Sequence, residues 1–166
     1  MISLDYVNRM TRYNRAMNER LYECSARLSD AERKEDVRAF FKSVHGTLNH
    51  LLLGDRIWMG RFMDNPITVK SLDQELYSDF EELRRERGRT DEAIASWAAG
   101  LTQQDLDGTL RYMSIVNPQP RETPMAFAIA HFFNHQTHHR GQLTTLLSQR
   151  GIDPGVTDLL WLAATP

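Results

Sequence analysis

Cys24 is the only cysteine in this chain of 166 residues. No internal disulfide can form, and no cluster of thiolates can hold a metal, so any metal ligands must be histidines or carboxylates. Strong charge of one sign is also missing: 20 Lys and Arg against 22 Asp and Glu leave a formal net charge of -2, and no run of five or six like charges occurs. Such a chain has no general attraction for phosphate backbones or anionic lipid, which argues against nucleic-acid and membrane partners. A long apolar run is absent from the N-terminus, where Asp5, Asn8, Arg9, Arg12 and Arg15 interrupt "MISLDYVNRMTRYNRAMNERL". Neither a secretory leader nor a membrane span fits that stretch, and the expected location is the cytoplasm. There is no internal repeat or low-complexity tract. At 41% hydrophobic and 25% charged, residues 1–166 suffice to close one core, and a single domain is expected.

Apolar residues recur at helical spacing in four long segments. The first runs from Leu4 to Leu28 through Val7, Met10, Met17 and Leu21. Ser29 or Asp30 is a suitable N-cap before the second, which runs from Val37 through Phe41, Val44, Leu48, Leu51, Asp55 and Trp58 to Phe62 and ends near "DNPIT". Ser71 or Asp73 opens a third segment (Leu72, Leu76, Phe80, Leu83), expected to break or bend around "RGRT" and to continue through Ile94, Trp97 and Leu101. "GTLRYMSIVNPQPRETP" predicts a loop or short irregular hairpin. Thr123 is a possible N-cap and Pro124 suits the first turn of a fourth helix, Met125 to Arg150, which Gly151 stops. The tail carries Leu159, Leu160, Trp161 and Leu162, and a short helix or turn packed across the other helices is expected there. These segments predict an all-α four-helix bundle with a short irregular segment or hairpin between the third and fourth helices.

Four of the six histidines fall between His131 and His139, in "HFFNHQTHH". On a helical wheel of about 100° per residue, His135 and His139 lie inside or at the edge of the apolar stripe of Ala128, Phe132, Leu143 and Leu146, whereas His131 and His138 lie on its flank. An i, i+4 pair facing inward can bring two imidazoles to one divalent ion, yet two ligands do not hold a catalytic metal. A third would come from a facing helix, and the second helix offers His45 and His50 on opposite flanks of its stripe. Spacing alone does not choose between them.

"NHLLLGDRIW", followed some eighty residues later by "FNHQTHHRGQL" and the ending "GIDPGVTDLLWL", resembles the DinB/YfiT-like family of metal-binding four-helix bundles over nearly the whole chain. The resemblance implies a three-histidine site: matched by position, its ligands are His50 from the second helix and His135 and His139 from the fourth. It also implies a divalent ion, zinc or nickel first, with iron, cobalt or manganese as alternatives. A homodimer through the long helices is implied as well.

Other residues carry expectations of their own. Arg140 should pair with a carboxylate from another helix or a second subunit. Gly141, unfavourable in a helix interior, suggests that something passes close to its backbone. Gln142 can orient a metal ligand by a hydrogen bond or lie at the surface. Asp55, on an apolar stripe, should have an arginine or a histidine as partner. Trp58, Phe62 and Trp97 read as core.

Three neutral imidazoles leave a divalent ion its full charge and a free coordination position, which suits it to acidify a thiol or water or to polarise a carbonyl. The resemblance implies a small-molecule substrate and chemistry of the thiol S-transferase type with a low-molecular-weight thiol. A metal-dependent hydrolase and a non-catalytic stress-response protein that binds a metal or small ligand are the alternatives. His131, Asp55 and Tyr13 are candidate general bases by type alone.

Overall fold

The computed structural model describes residues 2–115 and 117–160. The fold is mostly helical with one small two-stranded sheet. Helix α1 spans Leu4–Ala26, and Ser3 caps it by accepting a hydrogen bond from the Tyr6 N–H. Val7, Met10, Met17 and Leu21 recur on its inner face and are buried, as the periodicity predicts.

Ser29 does cap a helix, but a short one. Helix α2 covers only Asp30–Lys34, closed by a capping box between Ser29 and Glu32, and the next long helix, α3, starts afresh at Val44–Phe62 with Ser43 as N-cap. Between them the chain makes a tight reversal in which Arg38 and Lys42 adopt positive φ, the Val37 N–H donates to the Lys42 carbonyl and the Lys42 N–H to that of Ala39. Val37 and Phe41 therefore imitate helical spacing from within a turn.

The third long helix also starts later than its apolar pattern suggests. Helix α4 spans Phe80–Gly100 with Asp79 as N-cap, and Ser71 and Asp73 lie in an irregular connection. Asn49 is the reason. Its side-chain oxygen accepts from the backbone N–H groups of Leu76 (2.8 Å) and Tyr77 (3.0 Å), and its amide donates to the Tyr77 carbonyl. These bonds pin the segment along α3 and take the donors that a helix would use. The expected break at "RGRT" does not occur: α4 runs through Gly88, whose backbone is open to solvent space.

After the short helix α5, Gln103–Leu106, strands β1 (Thr109–Met113) and β2 (Pro120–Pro124) pair antiparallel, with Thr109 opposite Pro124 and Met113 opposite Pro120. This is the expected hairpin. Thr123 is part of β2 and caps nothing. Helix α6, Met125–Gln149, begins directly after Pro124 without a side-chain cap, and the Met125 N–H donates instead to the Gly108 carbonyl across the hairpin. At its far end Gly151 has φ 73°, its N–H donates to the Ser148 carbonyl and that of the buried Ile152 to Leu147, a Schellman ending. The chain then returns along α1, where Tyr13 Oη donates to the Thr157 carbonyl at 2.8 Å. Trp161 and Leu162 lie outside the described residues.

Helices α1 and α3 each pack against both α4 and α6. Leu48, Leu52, Leu83, Ile94, Phe132 and Leu143 are almost wholly buried between them, each contributing about 1.5–3 kcal/mol of burial. Charge also enters this core. Asp55 meets Arg87 at 2.6 Å, Arg87 meets Asp91 at 2.9 Å, and Asn18 donates to Asp91. The partner of Asp55 is thus an arginine. Arg140 has no carboxylate partner among the described residues: it bonds to Asn14 and Thr137 and lies over the Tyr13 ring. Phe62 and Trp97 stack at 4.8 Å as core residues. Among the described residues no helix is long and apolar enough to cross a membrane.

Candidate metal centre

His50 stands on α3, and His135 and His139 stand one turn apart on α6. Their ring nitrogens converge. His139 Nε2 lies 3.2 Å from His50 Nε2 and 3.1 Å from His135 Nε2, and one ligand atom from each residue falls within 4.8 Å of the others. Three nitrogens at about 2.0–2.1 Å from a tetrahedral ion would be about 3.3 Å apart. The spacing of these nitrogens is that of a group that could hold a metal ion.

The opposite ring edges decide which nitrogens face inward. His50 Nδ1–H donates to the Leu72 carbonyl at 2.8 Å, and His139 Nδ1–H donates to Gln142 Oε1 at 2.8 Å. With Nδ1 protonated, Nε2 of each neutral ring carries a lone pair aimed at its neighbours. Lone pairs facing one another at this distance repel, and a cation between them removes the repulsion. Burial, the largest effect, lowers His50 to about 4 and His135 to about 3; neighbouring histidines act in the same direction. His139 is lowered too, chiefly by burial. His50 and His135 are therefore neutral at pH 7, and the shift of His139 favours its neutral form as well. His135 Nδ1 is buried without a partner among the described residues.

Two further residues shape the site. The Phe41 ring stacks on His50 at 3.7 Å and meets His139 edge-on at 5.3 Å, so the 36–43 reversal closes one side. Gly54 lies one turn after His50. A Cβ there would come within 2.9 Å of His135 Cε1, so the glycine makes room for the His135 ring from α6. The close approach expected at Gly141 is found here instead, because nothing lies within 4 Å of a Cβ built on Gly141.

A cavity of about 240 Å3 adjoins the histidines, lined by His50 and His135 together with Trp58, Arg61, Tyr112 and His131. His131 leans on Trp58 at 5.0 Å between centroids, and desolvation, then the nearby Arg61 charge, lower its pKa. Trp58 is thus a wall of the cavity as well as a core residue. The other candidates are elsewhere: His45 Nε2 bonds to the Tyr77 carbonyl, His138 is exposed beside Gln142, Asp55 belongs to the Arg87 ion pair, and Tyr13 is bonded to Thr157. Phe41, Gly54 and Arg61 were missed from the sequence. Only Gly54 left a usable signal, as a glycine inside an apolar helix four residues from a candidate ligand.

Comparison with known proteins bears on the family and the fold. The model of the DinB family matches residues 3–165. Protein DinB of Bacillus subtilis (strain 168) is 24% identical over 157 residues, spanning 93% of this chain and 91% of that protein. A DinB-like protein from Bacillus cereus ATCC 10987, known from a crystal structure, superposes with a TM-score of 0.63 at 19% identity, over 84% of this chain and 90% of that one. The fold is DinB-like.

Proposed function

The chain belongs to the DinB family, and on that premise we propose that it is a single-domain, four-helix-bundle enzyme that depends on a divalent metal, zinc or nickel, and carries out chemistry of the thiol S-transferase type. His50, His135 and His139 are the ligands, and a low-molecular-weight thiol is one substrate. The carrying observation is the meeting of three Nε2 atoms, 3.1 and 3.2 Å apart, while two of the rings have their Nδ1–H groups turned outward. A divalent cation held by these nitrogens acidifies a thiol or water and polarises a carbonyl.

The protein's own groups do the rest. The Leu72 carbonyl and Gln142 hold two rings in the ligating tautomer. Phe41 covers one side, so substrate enters from the cavity beside Trp58. His131 is the one proposed base that lines this cavity, and its lowered pKa leaves it neutral and able to accept a thiol proton at pH 7. The same reading, resting on family resemblance, makes the protein a cytoplasmic homodimer.

Elemental analysis of tag-free protein tests the centre. About one divalent ion per chain is expected, lost on replacing His50, His135 or His139 by alanine with helical circular dichroism retained. Thermal shift of metal-loaded protein against a panel of thiols tests the substrate class: selective stabilisation by a thiol supports it, and none by any member overturns it.

A further inference from the structure

Arg61 is the one formally charged side chain lining the cavity beside the three histidines, and no aspartate or glutamate among the described residues lines it. Its guanidinium carbon lies 4.5 Å from the Trp58 ring centre and 4.4 Å from that of Tyr112, so two aromatic faces hold it from α3 and β1. Cation–π contacts occupy the flat faces of a guanidinium and leave its edge N–H donors free. No acceptor among the described residues takes them. Arg61 also lines the adjoining cavity together with Asp64, but the two make no ion pair. Nearby arginines are engaged: Arg56 with Glu86 at 2.6 Å and Arg111 with Glu122 at 2.7 Å.

Position strengthens the case. Arg61 follows His50 by eleven residues, three turns of α3 and about 16 Å, so both stand on the same side of the helix. Side chains on a helix lean toward its N-terminus, which brings the guanidinium back toward the histidines. The charge of Arg61 is felt at His131. The end of α3 favours a cation and the aromatic pair would anchor the hairpin, but neither occupies the edge donors of a guanidinium that lines a cavity without an acid. Three neutral imidazoles, a divalent ion and one guanidinium leave that cavity with three positive charges and no compensating carboxylate.

We propose that Arg61 recognises an anion here, and that the ligand is a small organic acid whose carboxylate pairs with Arg61 while its reacting end lies at the three histidines. This rests on the metal-dependent reading above and specifies its substrate class. A bidentate carboxylate is the partner that the guanidinium edge fits.

Isothermal titration of zinc-loaded protein with mercaptosuccinate and with 2-mercaptoethanol separates acid recognition from thiol recognition. Binding of mercaptosuccinate at least tenfold tighter than that of 2-mercaptoethanol is expected. Arg61→Gln should remove that preference while leaving the zinc content and the 2-mercaptoethanol affinity unchanged, and Arg61→Lys should keep part of it. If Arg61→Gln lowers thermal stability through loss of the aromatic contacts, Arg61→Lys decides: a preference that drops to the neutral-thiol level with charge retained overturns the pairing. Equal mercaptosuccinate affinity in wild type and Arg61→Gln also overturns it. Inorganic phosphate in a parallel titration should bind more weakly than succinate, and the reverse order overturns the carboxylate assignment. Absence of bound zinc would refute the metal reading alone. Succinate titrated into metal-free wild type and Arg61→Gln then still tests Arg61, with equal affinities against it.

Discussion

The ring of Phe41 lies nearly flat on that of His50, 3.7 Å between centroids and 16° between planes. A residue in a turn thereby positions a candidate metal ligand on a helix. Replacing it with leucine keeps an apolar group but removes the flat face. Phe41→Leu should weaken zinc affinity about tenfold, within the range for groups that orient ligands, and speed metal loss to a chelator. Competition with a chromophoric chelator measures both; an unchanged affinity would leave Phe41 as packing only.

Gly54 gives a second handle on geometry. In Gly54→Ala the new methyl meets His135 Cε1 at 2.9 Å, so the ring must shift and zinc affinity should fall at least tenfold. Gly88→Ala and Gly141→Ala meet nothing within 4 Å and should instead raise stability by about 0.5–1 kcal/mol each. Urea unfolding and metal titration of the three variants separate the cases.

Arg87 lies between two buried carboxylates, 2.6 Å from Asp55 and 2.9 Å from Asp91. Burial raises Asp55 to about 6 even against the arginine, so the carboxylate is ionised at pH 7. Arg87→Met strands both acids and should destabilise by about 3–5 kcal/mol. A urea midpoint close to that of wild type would refute this.

Acid should weaken the metal-free protein. Histidines near 6.5 in the unfolded chain sit at about 4 and about 3 at His50 and His135 in the folded one. Between those values the unfolded state binds more protons, so stability falls as pH drops from about 6.5 toward 4. Asp55, raised when folded, acts in the opposite direction but is common to any His50 and His135 variant. Compared with His50→Gln/His135→Gln, wild type should lose stability more steeply, by on the order of two protons taken up on unfolding near pH 5. Parallel urea-midpoint profiles for the two proteins would contradict the burial of these rings.

The inward pair His135 and His139 was legible because one helix carries both, and a wheel reports which side of a single helix is apolar. So were the hairpin and the glycine stop at Gly151, which depend on turn chemistry within a few residues. The start of the second long helix was misread since Val37 and Phe41 repeat the helical interval inside a turn. Ser71 failed as a cap because Asn49, more than twenty residues earlier, takes the backbone donors of Leu76 and Tyr77.

Local order thus determined the helical character, the apolar stripes, the absence of a thiolate metal cluster and the two ligand candidates on the last helix. Spacing left His45 and His50 level, and family resemblance alone singled out His50. Only the tertiary structure set the rotation of α3 against α6, which brings His50 to the pair and turns His45 toward Tyr77. It also decided that Phe41 closes the site and Arg61 faces its cavity. The reason is physical: periodicity is a property of one segment, whereas the meeting of three nitrogens depends on the relative rotation and stagger of two helices and on the connections that hold them.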